Sequence, residues 1–200
     1  MQQSEHSGDL QRIQVKVFLE RPVGFSGDPF IAILDRWRAE DNAAAAPAQP
    51  WIDFVDYAHV KDGPGILLVG RELQLSLDFG DGRVAITLRG RRDLLGTDTE
   101  RFTWALRRAL ATTNRALADA TCPPGLAPSH LELELSVNDR LDFAPGPETE
   151  ARLRGPIHAT FDACLGAGAY TSIALPAAAA RYGYVARSLA PRALSTAFGG

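Results

Sequence analysis

"LQLSLDFGDGRVAITLR", residues 73–89, places Leu73, Leu75, Leu77 and Phe79 on one side of an extended chain and Val84, Ile86 and Leu88 on the same side of its return. The period is two, that of a strand whose faces differ in polarity. Between the runs, Asp81-Gly82 supplies the positive φ of a tight turn, so the stretch reads as a β-hairpin with one buried face.

The same alternation recurs on both sides of this hairpin. "IQVKVFLE" (13–20) sets Ile13, Val15, Val17 and Leu19 against Gln14, Lys16, Phe18 and Glu20. "HLELELSVNDRLDF" (130–143) sets Leu131, Leu133, Leu135 and Val137 against Glu132, Glu134, Ser136 and Asn138, a strand expected to turn one face to water. "WIDFVDYAHV" (51–60), "GILLVG" (65–70), "YTSIAL" (170–175) and "RYGYVARSL" (181–189) complete the predicted strands.

Three helices interrupt them. "SGDPFIAILDRWRAED" (26–41) is predicted to start with Asp28 as N-cap and Pro29 at its first position, burying Phe30, Ile33, Leu34 and Trp37. Residues 96–120 form a helix capped near Thr97 or Thr99, with Phe102, Leu106, Leu110, Thr113 and Leu117 along one side. The third, "PETEARLRGPIHATFDACLG" (147–166), is expected to kink or restart at Gly155-Pro156, because proline lacks the amide proton an interior turn needs. "NAAAAPAQP" (42–50) reads as a surface loop.

Helices after the first, fifth and sixth strands break the regular alternation that a parallel sheet requires. The predicted class is α+β, a mixed or antiparallel sheet with about three helices packed on one face in two layers. The 200 residues, 46% hydrophobic and 22% charged, suit one domain over 13–190 with flexible tails at 1–12 and 191–200.

Composition also narrows the function. A net charge of −3 provides no global field for nucleic acid, and no run approaches the ~20 apolar residues of a membrane span. The first residues lack the apolar core of a secretory signal, so a cytoplasmic address is expected. Cys122 and Cys164 are far apart in sequence and read as reduced thiols. The four histidines, His6, His59, His130 and His158, show no metal-ligand spacing, and neither metal nor cofactor is expected.

"HVKDGPGILLVGRE" (59–72) is tested first for chemistry because of its glycines. Gly63-Pro64-Gly65 leads into a strand, not a helix, and no Lys-Ser or Lys-Thr follows, which removes the dinucleotide and phosphate loops. A turn between strands remains. Just before it, alternation places Asp56 on a face otherwise formed by Ile52, Phe54, Ala58 and Val60. A carboxylate buried there needs hydrogen bonds or a cation such as Arg71 or the Arg89, Arg91, Arg92 group. The plain reading bonds Asp56 to backbone at a strand end, and the functional one makes it an orienting group in a ligand pocket with Tyr57, His59 and Arg71. "GFSGD" (24–28) lacks the spacing of a nucleophile elbow, and Ser26 reads as part of a helix entry. On the second helix, Arg101, Arg108 and Arg115 recur every seven residues, a candidate surface for an acidic protein partner, with "RGRRD" (89–93) nearby.

The elements "VDYAHVKDGPGILLVGRE" and "SVNDRLDF" resemble those of a family of uncharacterised bacterial proteins of similar length, over about residues 13–165. The resemblance implies no activity and lends no catalytic residues. The expectation is therefore a non-catalytic binding or interaction module, with a protein partner or a homodimer open. The alternative is a small-molecule-binding protein or enzyme with its pocket near Asp56, Tyr57, His59 and Arg71.

Overall fold

In the computed structural model, which describes residues 8–46, 50–57, 59–60, 65–79, 82–91, 94–128 and 130–198, the hairpin of β4 (Leu73–Asp78) and β5 (Val84–Gly90) forms as its alternation predicts. Leu75 faces Leu88 and Leu77 faces Ile86, and Gly82 takes the left-handed conformation at φ +68°. Asp81 lies outside the described residues.

Around this hairpin the strands β1 (Ile13–Leu19), β2 (Trp51–Tyr57), β3 (Gly65–Gly70), β6 (Glu132–Val137), β7 (Tyr170–Ala174) and β8 (Tyr182–Ser188) complete an open sheet of eight. The order is β2-β3-β4-β5-β1-β6-β8-β7, and every pairing is antiparallel. Helices α1 (Asp28–Ala44), α2 (Asp98–Leu117) and α3 (Pro147–Leu165) follow β1, β5 and β6. The apolar residues of each strand and the helix stripes of Phe30, Ile33 and Trp37, Phe102 and Leu106, and Ile157 and Phe161 form one contiguous core between the layers. The α+β class holds, with the sheet wholly antiparallel.

Several local expectations change. Helix α1 starts at Asp28 itself, with Gly27 at the cap position, and the Ser26 hydroxyl accepts the Asp28 amide at 3.2 Å. Its end runs into the alanine connector, because alanine extends a helix at no side-chain entropy cost. Helix α3 does not restart: Pro156 lies inside one continuous helix, where its nitrogen has no hydrogen to donate to the preceding turn. The expected flexible tails are tied down over 8–12 and 191–198. Leu10 is fully buried, Gln11 bonds the Leu94 backbone, and the Arg152 guanidinium reaches the Gly8 carbonyl at 2.8 Å. At the other end Leu194 is buried, and the Arg107 guanidinium stacks over the Phe198 ring.

The strand-to-strand connection before Gly65 joins antiparallel neighbours, as expected of a turn, although residues 61–64 lie outside the described set. Gly65 is required there. It sits at φ +71°, and a β-carbon would approach the Leu77 carbonyl oxygen to 1.9 Å.

Candidate functional site

The helices cover one face of the sheet. The other face carries the polar members of each alternation, and it is solvated only in part: Gln14, Ser76, Asp78, Thr87, Glu134 and Ser136 are buried, whereas Glu132 is half-buried and Asn138 is exposed as the sequence suggests. Antiparallel register explains this. Gln14 lies opposite Arg89 on β5 and Ser136 on β6, and Lys16 lies opposite Thr87 and Glu134, so side chains from neighbouring strands meet on the same face.

They meet as hydrogen-bonded partners. The Glu134 carboxylate accepts from Gln14 at 3.1 Å, Ser136 at 2.8 Å and both Nε and a terminal nitrogen of Arg181 at 3.1 and 3.2 Å. Gln14 turns its carbonyl oxygen to Arg89 Nε at 2.7 Å. A second group joins Lys16 to Asp78 at 2.8 Å, with Thr87 donating to the same carboxylate at 3.4 Å. Each buried charge is thus paired, as burial demands.

At one end of this face the network opens into a cleft of about 590 Å³ lined by Arg12, Ile52, Arg71, Gln74, Arg89, Gly90, Arg91 and Asn138. Arg12 precedes β1, Arg71 follows β3, Gln74 lies on β4, Arg89 and Arg91 lie on and beyond β5, and Asn138 follows β6. Backbone bonds hold the strand ends together: Asn138 N–H to Arg12 carbonyl at 2.8 Å and Arg91 N–H to Glu72 carbonyl at 2.8 Å. Arg91 also donates to the Gly70 carbonyl at 3.0 Å, and Arg12 lies 3.6 Å from Asp139. Among the described residues, no carboxylate lines the cleft. Burial holds the Arg89 guanidinium below the ordinary arginine value, with Asp78 and Glu134 opposing that shift and Arg181 adding to it.

No family model, curated protein or solved structure matches this chain.

The residues singled out as a pocket do not come together. Asp56 pairs with Ile66, five residues before Arg71, which puts Asp56 and Arg71 about 17 Å apart along the hairpin at the rise of an antiparallel strand. Asp56, Tyr57 and His59 are exposed near the β2–β3 connection, and Arg71 alone reaches the cleft. Asp56 shares its face with Phe54, which packs on the core, yet lies far enough along the edge strand to stay solvated and not buried.

The helix arginines are also divided among other tasks. Arg101 is mostly buried, paired with Asp9 and bonded to the Leu10 carbonyl at 3.1 Å. Arg115 bonds Asp41 at 2.9 Å and Glu40 at 3.2 Å while stacking over Trp37. Arg108 is exposed and lines a smaller cleft with Trp37, Asp41, Trp51 and Arg115. Among the described residues, no cluster of three or more His, Cys, Asp or Glu is placed to hold a metal, and no helix is long and apolar enough to cross a membrane.

Arg12, Gln74, Arg89, Arg91 and Asn138 carried a signal in the sequence. Each has the parity opposite to the buried residues of its own strand, so alternation assigns all of them to the polar face. What the sequence lacked was the strand order, which seats β1 between β5 and β6 and brings their ends together.

Proposed function

We propose that this protein is a non-catalytic binding module whose ligand is a small anion held in the arginine cleft. The observation that carries this reading is the convergence of Arg12, Arg71, Arg89 and Arg91 with the amides of Gln74 and Asn138 on a single concavity. Guanidinium groups match carboxylate and phosphate oxygens in pairs, and primary amides donate further hydrogen bonds. The volume lies in the range of small-molecule sites. Arginine and amide side chains exchange no proton at neutral pH, which favours binding over acid–base chemistry.

Thermal unfolding with added phosphate, sulfate or citrate tests the reading, because a ligand that binds only the folded state raises the melting temperature. The expected outcome is a concentration-dependent rise that added sodium chloride weakens, reduced in Arg71→Ala and Arg91→Ala. Each substitution is expected to cut affinity roughly tenfold, the usual weight of one charge-assisted bond. An unchanged melting temperature at millimolar concentrations of all three anions would remove the proposal.

A further inference from the structure

We infer that the cleft selects multivalent anions, ligands with two or more linked phosphate or carboxylate groups, and that Arg89 is the anchor whose orientation Gln14 fixes in advance. The inference rests on the anion-binding reading above and adds the ligand class and the source of selectivity.

Charge balance is the first argument. Among the described residues no carboxylate lines the cleft: Asp139 lies 3.6 Å from Arg12 and the charges of Asp78 and Glu134 act on Arg89, while Arg89 and Arg91 themselves bond the neutral oxygens of Gln14 and Gly70. A singly charged ligand would meet one of these guanidinium groups and leave the others facing one another across the cleft. A ligand with several charges neutralises it, and linked groups hold those charges together at the entropy cost of docking one molecule.

Spacing is the second. Arg71 leaves the end of β3, Arg91 the end of β5 and Arg12 the start of β1, which immediately neighbours β5. At about 4.8 Å per strand these three origins are spread over some 14 Å of sheet. A single phosphate is small against that spread, so a second linked group is what brings the outer arginines into use.

The third argument is preorganisation. Gln14 accepts from Arg89 Nε at 2.7 Å, and its own amide is held by Glu134, whose carboxylate is further bonded by Ser136 and Arg181. Arg89 lines the cleft, and with Nε held by Gln14 its terminal nitrogens are the pair assigned to the ligand. The half-buried guanidinium is oriented before the ligand arrives, so little side-chain freedom is lost on binding. Gln14 does not line the cleft and acts through Arg89, as a positioning residue.

Titration calorimetry at matched ionic strength with orthophosphate, pyrophosphate and citrate tests this on the full chain. The parent is expected to bind pyrophosphate at least about tenfold more tightly than orthophosphate, consistent with one further charged pair. Arg89→Lys keeps the charge but loses the fork, and Gln14→Leu frees the fork. Both are expected to lower the pyrophosphate-to-orthophosphate ratio, a readout that loss of stability alone does not move. Arg71→Ala, an exposed site outside the buried network, serves as a variant that folds and still loses pyrophosphate affinity. Citrate binding comparable to pyrophosphate supports multivalent anions in general; preference for pyrophosphate alone supports the inference and narrows the class to linked phosphates. Equal affinity for orthophosphate and pyrophosphate overturns the inference while leaving anion binding intact, whereas no binding of any anion overturns both. A ratio unchanged in Arg89→Lys and Gln14→Leu overturns the anchor role.

Discussion

Cys164 and Cys122 show how far one residue's chemistry depends on its neighbours. Cys164 is fully buried under the C-terminal segment, where the Phe198 amide bonds its carbonyl at 3.1 Å, and burial pushes its thiol up to about 12. Cys122 is only partly buried, and its thiol is raised by burial and then by Asp119. Because the thiolate is the reactive form, an aromatic disulfide reagent at pH 8 is expected to titrate Cys122 alone in the folded protein and both after denaturation. In Cys122→Ser, rapid labelling without denaturant would contradict the burial of Cys164. Sequence spacing did indicate two thiols with no bridge, but which one is inert follows only from what covers it. The same limit applied to Asp56: its face was legible from alternation, whereas its solvation depended on how far the core reaches along an edge strand.

Among the elements, α2 is the one most fully specified by its own residues. The Thr97 hydroxyl accepts the Glu100 amide at 3.3 Å, and the Glu100 carboxylate accepts the Thr97 amide at 2.7 Å, a reciprocal cap that settles the choice between Thr97 and Thr99. The Thr97 amide, together with the Thr97 hydroxyl that donates to the same oxygen at 2.9 Å, holds the Glu100 carboxyl below its usual range. Thr97→Ala removes one half of the cap and is expected to cost about 1 kcal/mol, seen as a lower urea midpoint with an unchanged slope. A midpoint within error of the parent would mean that packing of Phe102 and Leu106 fixes the helix end without the cap. Strands and helices of this kind were legible because period and capping act over a few residues. The cleft was not, because it is assembled from strand ends 12, 71, 91 and 138, which only long-range pairing makes neighbours. Asp28 marks the lesser failure: a capping residue type beside a proline identifies a helix start to within one residue, but the cap position falls to Gly27, and the Ser26 hydroxyl accepts the Asp28 amide.

For the molecule as a whole, the acidic side chains that tie separate segments together set the response to pH. Asp119 is held at about 2, chiefly by Thr121 and then by Arg36 of α1; Asp41 is lowered by Arg115 and Trp51 against the opposing effect of burial; Asp9 is lowered by Arg101 and Gln11. A carboxyl whose folded value lies below its unfolded one binds protons more tightly when unfolded, so its contribution is complete above the unfolded value of about 4 and is lost as pH falls towards the folded value. For Asp119 that window runs from about 4 down to about 2. Over the same interval the acids lose their charge, leaving 21 Lys and Arg and 4 His to repel one another. The arginine cleft then adds to this repulsion, because the 24 Asp and Glu that outnumber the cations at neutral pH are losing their charge. The urea midpoint is therefore expected to fall steeply between pH 4 and 2, and the fall should be shallower in Asp119→Asn, which no longer titrates at that position. Sulfate at low concentration should recover more of the loss than chloride at equal ionic strength, because a divalent anion can occupy the cleft while general screening is the same. A midpoint that is flat to pH 2.5 would refute the ion-pair account, whereas equal recovery by the two salts would confine it to screening and count against a specific anion site.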